Sequence, residues 1–130
     1  MKKVMVFGIF DGLHDGHRVI LKQAKSYGDY LIVVVAQDHM VEHLRGSSPK
    51  KSLTERFEHL QKVDQVDKVV IGDVEPSTWY IVKRHRPDVI AISQDQHLLK
   101  KDLELHINLK RFGYKPKLVI LHPTGAEHNK

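Results

Sequence analysis

Residues 8–17 read Gly-Ile-Phe-Asp-Gly-Leu-His-Asp-Gly-His, directly after the apolar run Val4-Met5-Val6-Phe7. The residues behind them, Arg18 to Lys25, carry the pattern of a helix. A buried strand that runs through a glycine-rich turn into a helix restricts the chain to folds built on strand–helix units. A helix start presents unpaired backbone N–H groups and the positive end of the helix dipole, which together make a phosphate site. His14 and His17 add imidazoles that can donate hydrogen bonds to phosphoryl oxygens. The pattern points to a nucleotide or another phosphate ester as ligand.

The same alternation continues to the end of the chain. Strands are expected at Lys3–Phe7, Tyr30–Ala36, Asp67–Ile71, Asp88–Ile92 and Lys117–Leu121. Helices are expected at His17–Tyr27, stopped by Gly28, at about His39–Leu44, and from Ser52 to Leu60, where Ser52 and Glu55 form a capping box. Two more are expected at Ser77–Arg86, ended by Pro87, and at Leu98–Phe112, closed by Gly113. Gly46-Ser47-Ser48-Pro49 reads as a loop. This is an α/β chain, expected to form a three-layer Rossmann-like sandwich on a mainly parallel five-stranded sheet.

Composition narrows the functional classes. A chain of 130 residues suits one domain, 1–130. Lys and Arg exceed Asp and Glu by 5, which fits a phosphate-bearing ligand. The basic residues are scattered and aromatics are only 7%, so no nucleic-acid platform is expected. The chain contains no cysteine, which removes disulfides and thiolate chemistry and fits a cytoplasmic location. The longest apolar run, Leu31 to Ala36, is far too short for a bilayer, so no membrane partner is expected.

In parallel α/β sheets the ligand crevice lies beyond the carboxyl ends of the strands. Here those ends deliver Gly8, Gln37-Asp38, Gly72-Asp73, Ser93-Gln94-Asp95 and His122. The opening turn is neither a Walker A loop nor a dinucleotide fingerprint, since Gly8, Gly12 and Gly16 fall four apart. Gly8 and Gly16 are expected to let a phosphate approach the backbone. Asp11 can accept from a loop amide or help hold Mg²⁺. Arg56 can hold phosphates in its planar fork or lie solvated, and Arg45, Lys50 and Lys51 sit on a loop able to close over a triphosphate. Trp79 and Tyr80 can stack on a ring, although packing against the sheet is favoured. Ser93-Gln94-Asp95-Gln96 can read a base edge or a ribose, or cap the next helix.

The opening string resembles the G-T-F-D-x-x-H-x-G-H signature of the cytidylyltransferase-like nucleotidyltransferases, a group that includes glycerol-3-phosphate cytidylyltransferases and archaeal-type FAD synthases. Leu44-Arg45-Gly46, Pro49 and Arg56 are similar to the group's L-K-G-x-x-P…R stretch, and Val66 to Asp73 to its V-D-x-V-x-x-G segment. Pro87 to Gln96 is similar to the P-D-V-I-A-L-G-Y-D-Q stretch of the FAD synthases. The resemblance implies that Gly8, Ile9, Phe10, His14 and His17 bind a triphosphate, with Gly16 at the helix start. It implies that His14 and His17 stabilise the transition state, that Arg45 and Arg56 clamp phosphates, and that Ser93, Gln94, Asp95 and Gln96 lie near base and ribose. The partners it implies are ATP or CTP, Mg²⁺ or another divalent cation, a phosphomonoester acceptor, and a second copy of the chain in a homodimer, which the group often forms.

Three positions depart from the pattern. Ile9 replaces a threonine, Arg45 replaces a lysine, and the expected Ser/Thr-rich tail is reduced to Thr124. FMN adenylylation is the first expectation, cytidylylation of glycerol 3-phosphate or a similar small ester the second, and nucleotide binding without turnover the third.

Overall fold

A computed structural model describes residues 1–123. Five strands, β1 (Lys3–Gly8), β2 (Tyr30–Val35), β3 (Lys68–Ile71), β4 (Val89–Ser93) and β5 (Lys117–Leu121), form one sheet in the order β3-β2-β1-β4-β5. Every pairing in it is parallel. Between the strands run α1 (Asp15–Lys25), α2 (Asp38–Arg45), α3 (Leu53–Gln61), α4 (Tyr80–His85) and α5 (His97–Asn108). The expected class and five-stranded parallel sheet are observed.

Alternation along the strands decides which residue faces which layer. Val4, Val6, Val33, Val35 and Ala91 pack with Leu21 and Ala24 of α1 and Leu60 of α3. Met5, Ile32, Val34, Ile90 and Ile92 pack on the other side with Val82 of α4 and Leu103 of α5. The chain leaves β1 to build β2 and β3 on one flank, then returns to build β4 and β5 on the other. The order reverses between β1 and β4, and there a crevice opens at the strand ends.

Of the element boundaries that differ from the sequence expectation, four have a clear local reason. Helix α1 begins at Asp15 rather than His17, because the His14 ring caps it. Helix α4 begins only at Tyr80, because Ser77 and Trp79 take positive φ values of +65° and +54°. Helix α5 stops at Asn108, short of Phe112, where Lys110 turns to φ +57° and lets Phe112 fold into the second core. Strand β3 loses Asp67, whose carboxylate accepts from Leu31 N–H and pairs with Lys25. The Ser52–Glu55 capping box forms as read.

Gly28 ties the end of α1 to the start of the sheet. A Cβ there would lie 2.6 Å from the Lys2 carbonyl oxygen, which accepts from Asp29 and Tyr30 N–H and cannot retreat. Gly28→Ala is therefore expected to lower stability by about 1–3 kcal/mol, read as a lower urea midpoint. An unchanged midpoint contradicts this packing.

Candidate active site

The turn between β1 and α1 holds its shape by internal packing. Phe10 adopts φ +53° and is buried, with its ring against Gly8. A Cβ on Gly8 would come within 2.6 Å of that ring. Gly16 makes room for the His14 ring, 3.0 Å from where its own Cβ would stand. The space expected to admit a phosphate at these two glycines is thus occupied by the motif's own side chains. Gly12, at φ +86°, supplies the backbone reversal that only glycine makes without strain.

His14 takes the N-cap position of α1, where Ser, Thr, Asp or Asn is usual. Its Nδ1 accepts from Gly16 N–H at 3.1 Å, which places the proton of the neutral ring on Nε2. The His17 ring stacks on it, with centroids 3.7 Å apart. His17 Nδ1 lies 3.1 Å from the Gly12 carbonyl and 3.4 Å from His14 N–H. The shorter contact assigns Nδ1 as a donor to Gly12. Among the described residues neither Nε2 has a partner, so both are available to a ligand at the helix start. Burial lowers the His17 pKa below its ordinary value of 6.5, and the adjoining His14 ring lowers it further. The Gly12 carbonyl and Asp95 pull the other way.

Asp11 sits where a metal ligand was expected, but its oxygens are committed. They accept from Lys50 N–H at 2.8 Å, Lys51 N–H at 2.9 Å and Arg45 Nη2 at 3.1 Å. The Lys50 amide is the largest influence holding its carboxyl down to about 2, with partial burial opposing and Lys51 and Arg45 assisting. Among the described residues no group of three His, Asp or Glu side chains could hold a metal ion. Asp11 is a latch for the loop after α2. Because its folded pKa is depressed, the latch is fully stabilising above about pH 4 and weakens as pH falls towards 2.

Arg56 was expected to face the crevice or lie solvated, and it does neither. It is completely buried. Its guanidinium donates to the carbonyls of Lys51 (3.1 Å), Ile9 (3.0 Å) and Ala36 (2.7 Å), and to the Asp38 carboxylate (2.6 Å). It braces the site from beneath. Arg45, more than a third exposed, stays at the surface on Asp11 and the Ser48 carbonyl.

Glutamine side chains clip the strand ends together. Gln37 donates to the Gly72 carbonyl, joining β2 to β3. Gln96 accepts from Ser93 N–H and donates to the Phe7 carbonyl, joining β4 to β1. Gln94 accepts from His122 Nδ1 at 2.7 Å, joining β4 to β5. Of the stretch expected near base and ribose, Gln96 is therefore engaged within the fold, Ser93 is buried, and Gln94 and Asp95 are exposed. Thr124 lies outside the described residues.

A cleft of about 330 Å³ opens at the strand ends, between Phe7 and Ile9 on one side and Trp79, Leu44, Leu98 and Asp95 on the other. Leu44 and Leu98 stand 62% and 74% exposed at its mouth, unusual for leucines beside a polar turn. A wider hollow of about 710 Å³ runs along edge strand β3 and α4, beyond β2 from the histidines, and none of the turn residues line it. Sequence reading gave Leu44 only as part of the Leu44-Arg45-Gly46 stretch and Leu98 only as the start of a long helix, where a leucine looks like core. It missed Gln23, whose amide clamps the His122 backbone through two hydrogen bonds.

A parallel sheet with two imidazoles at the first helix start, beside an apolar cleft, defines an α/β domain that handles nucleotide phosphates. Comparison with known proteins makes this specific. The cytidylyltransferase-like family model matches residues 5–126, and the chain belongs to that family of nucleotidyltransferases. It is similar to the FAD synthase of Thermococcus sibiricus, 44% identical over 122 residues, covering 87% of this chain and 82% of that protein. The FAD synthase of Pyrococcus horikoshii is 40% identical over 119 residues, covering 92% and 79%. Among solved structures, the lipopolysaccharide core biosynthesis protein of Thermoplasma volcanium superposes with a TM-score of 0.84 at 33% identity, covering 93% of this chain and 96% of that one. No helix among the described residues is long and apolar enough to cross a membrane.

Two measurements check this geometry. Arg56→Met leaves three carbonyls without their donor and is expected to cost about 3 kcal/mol of stability in urea unfolding. A loss below 1 kcal/mol contradicts the bracing role. In the free protein the His17 ring is expected to titrate below 6.5, and a bound triphosphate to raise it, because an anion favours the imidazolium. Ring-proton shifts followed against pH read both values, and a free-protein titration above the ordinary value contradicts the burial.

Proposed function

We propose that the protein is an FMN adenylyltransferase, transferring AMP from ATP to the phosphate of FMN with release of pyrophosphate. The observation that carries the acceptor assignment is the cleft beside the imidazoles. Its walls are mostly apolar, with Asp73, Glu75 and Asp95 among them, its mouth is framed by two exposed leucines, and its volume of about 330 Å³ suits a flat fused ring better than a glycerol chain. The similarity to FAD synthases supports the same reading.

In this reading an FMN phosphate oxygen attacks the α-phosphorus of ATP as the bond to the pyrophosphate oxygen breaks. The chemistry asks for positioning and neutralisation of charge rather than a covalent intermediate. His14 donates from Nε2 to a phosphoryl oxygen. His17, neutral in the free site, takes up a proton as the triphosphate arrives and then donates from Nε2 as well. The N–H groups at the start of α1 add their dipole. The described residues do not build a cage for Mg²⁺, so a divalent cation would enter as the partner of the triphosphate, held mainly by phosphate oxygens and water. Arg45 can exchange Asp11 for a phosphate when the loop after α2 closes.

Purified protein incubated with ATP, FMN and Mg²⁺ is expected to form FAD and pyrophosphate, seen by chromatography. His17→Ala is expected to lower kcat by about a hundredfold or more while leaving the circular dichroism unchanged. Turnover of CTP with glycerol 3-phosphate in place of ATP with FMN overturns the acceptor assignment. Equal rates for mutant and parent overturn the role of His17.

A further inference from the structure

One wall of the cleft is fixed from outside it. Ser77 and Trp79 both line the cleft, and both adopt positive φ, +65° and +54°. A bulky residue such as tryptophan rarely occupies that region, and it persists there only when its surroundings over-determine it. Asp102 on α5 provides the constraint. Its carboxylate accepts from the Ser77 hydroxyl, with oxygens at 2.8 and 3.0 Å, and from Trp79 Nε1–H at 2.7 Å. Asp102 is not itself among the residues that line the cleft.

His106, one turn further along α5 and buried, completes the arrangement. Its Nε2 lies 3.2 Å from Ser77 Oγ and 3.8 Å from the Asp102 carboxylate. Ser77 gives its only proton to Asp102, so it accepts from His106, which assigns the imidazole proton to Nε2. His106 Nδ1 is then a bare lone pair, buried with no partner among the described residues. The hydrogen bonds run one way, from His106 to Ser77 to Asp102, and the Trp79 indole adds its own donor to the same carboxylate. Held so, the indole meets Phe7 edge to face at 5.5 Å, and Phe7 lines the cleft as well.

We propose that Asp102 is a positioning residue for the acceptor substrate: it pins Ser77 and Trp79 in their left-handed conformations and so fixes the cleft wall against which a flat, apolar ring rests. The proposal rests on the reading of the acceptor as a flavin phosphate. It assigns a role in acceptor affinity to a carboxylate that touches neither substrate.

Trp79 is the chain's only tryptophan, so fluorescence excited beyond the tyrosine absorption band reports this wall alone. The full chain, Asp102→Ala and Asp102→Asn are titrated with FMN and, separately, with ATP and Mg²⁺, and assayed for turnover. FMN is expected to quench Trp79 in the parent. Asp102→Ala is expected to raise the Kd and KM for FMN about tenfold or more, while the Kd for ATP and the kcat at saturating FMN stay within about twofold. Asp102→Asn is expected to fall between, because its carbonyl still accepts from the indole N–H while its amide reaches Ser77. Should Asp102→Ala fail to fold by circular dichroism, Asp102→Asn carries the comparison. FMN affinity unchanged in the variants overturns the inference and leaves the FMN reading standing. Equal losses of FMN and ATP affinity also overturn it, since they mark a general structural defect. A parent protein that neither binds nor adenylylates FMN overturns the functional reading and this inference with it.

Discussion

A single buried guanidinium organises the carboxyl ends of the strands. Arg56 reaches from α3 beneath the site and donates to Ile9, to Ala36, to Lys51 and to Asp38. These acceptors belong to the loop after β1, the end of β2, the approach to α3 and the first turn of α2. Water cannot replace the donor at a site with no exposure, so removing it would strand several carbonyls at once. The planar fork of arginine serves this many acceptors, which the point charge of a lysine could not. The position of Ile9, and through it the turn to Phe10 and the histidines, depends on this contact.

Above that brace lies a compact turn, the proposed seat of the chemistry. Phe10 lies on Gly8, the His17 ring lies 5.3 Å from Phe10, and the His14 ring stacks on His17. Each imidazole spends one nitrogen on the backbone, His14 on Gly16 N–H and His17 on the Gly12 carbonyl, and the other is left to a ligand. Burial, and after it the adjoining His14 ring, lower the His17 pKa, so that ring is poised neutral in the free site and a triphosphate would favour its protonation. The neighbouring cleft adds what a phosphate site lacks, an apolar enclosure for the rest of an acceptor. In the proposed reaction the turn would recognise phosphate and the cleft the ring.

The layers of the fold were readable because alternation carries them. Val4, Met5 and Val6 go to opposite faces as period two requires, and the all-apolar β2 marks a strand covered on both sides. The Ser52–Glu55 cap was readable because both partners lie within one turn. The destination of Arg56 was not, since three of its acceptors are backbone carbonyls, which bear no residue signature. The late start of α4 was hidden for a similar reason: the positive φ of Ser77 and Trp79 is held by Asp102, more than twenty residues away. Asp11 stands in the motif, but its oxygens go to amides of Lys50 and Lys51 that no spacing rule would connect to it.

The most direct test is a crystal structure of the chain with FMN and a non-hydrolysable ATP analogue. Expected is a triphosphate seated on the first turn of α1, with Nε2 of His14 and of His17 within hydrogen-bond distance of phosphoryl oxygens and the flavin ring between Ile9 and Trp79. Nucleotide bound elsewhere, with both rings turned to solvent, would contradict the assignment of this turn as the phosphate site.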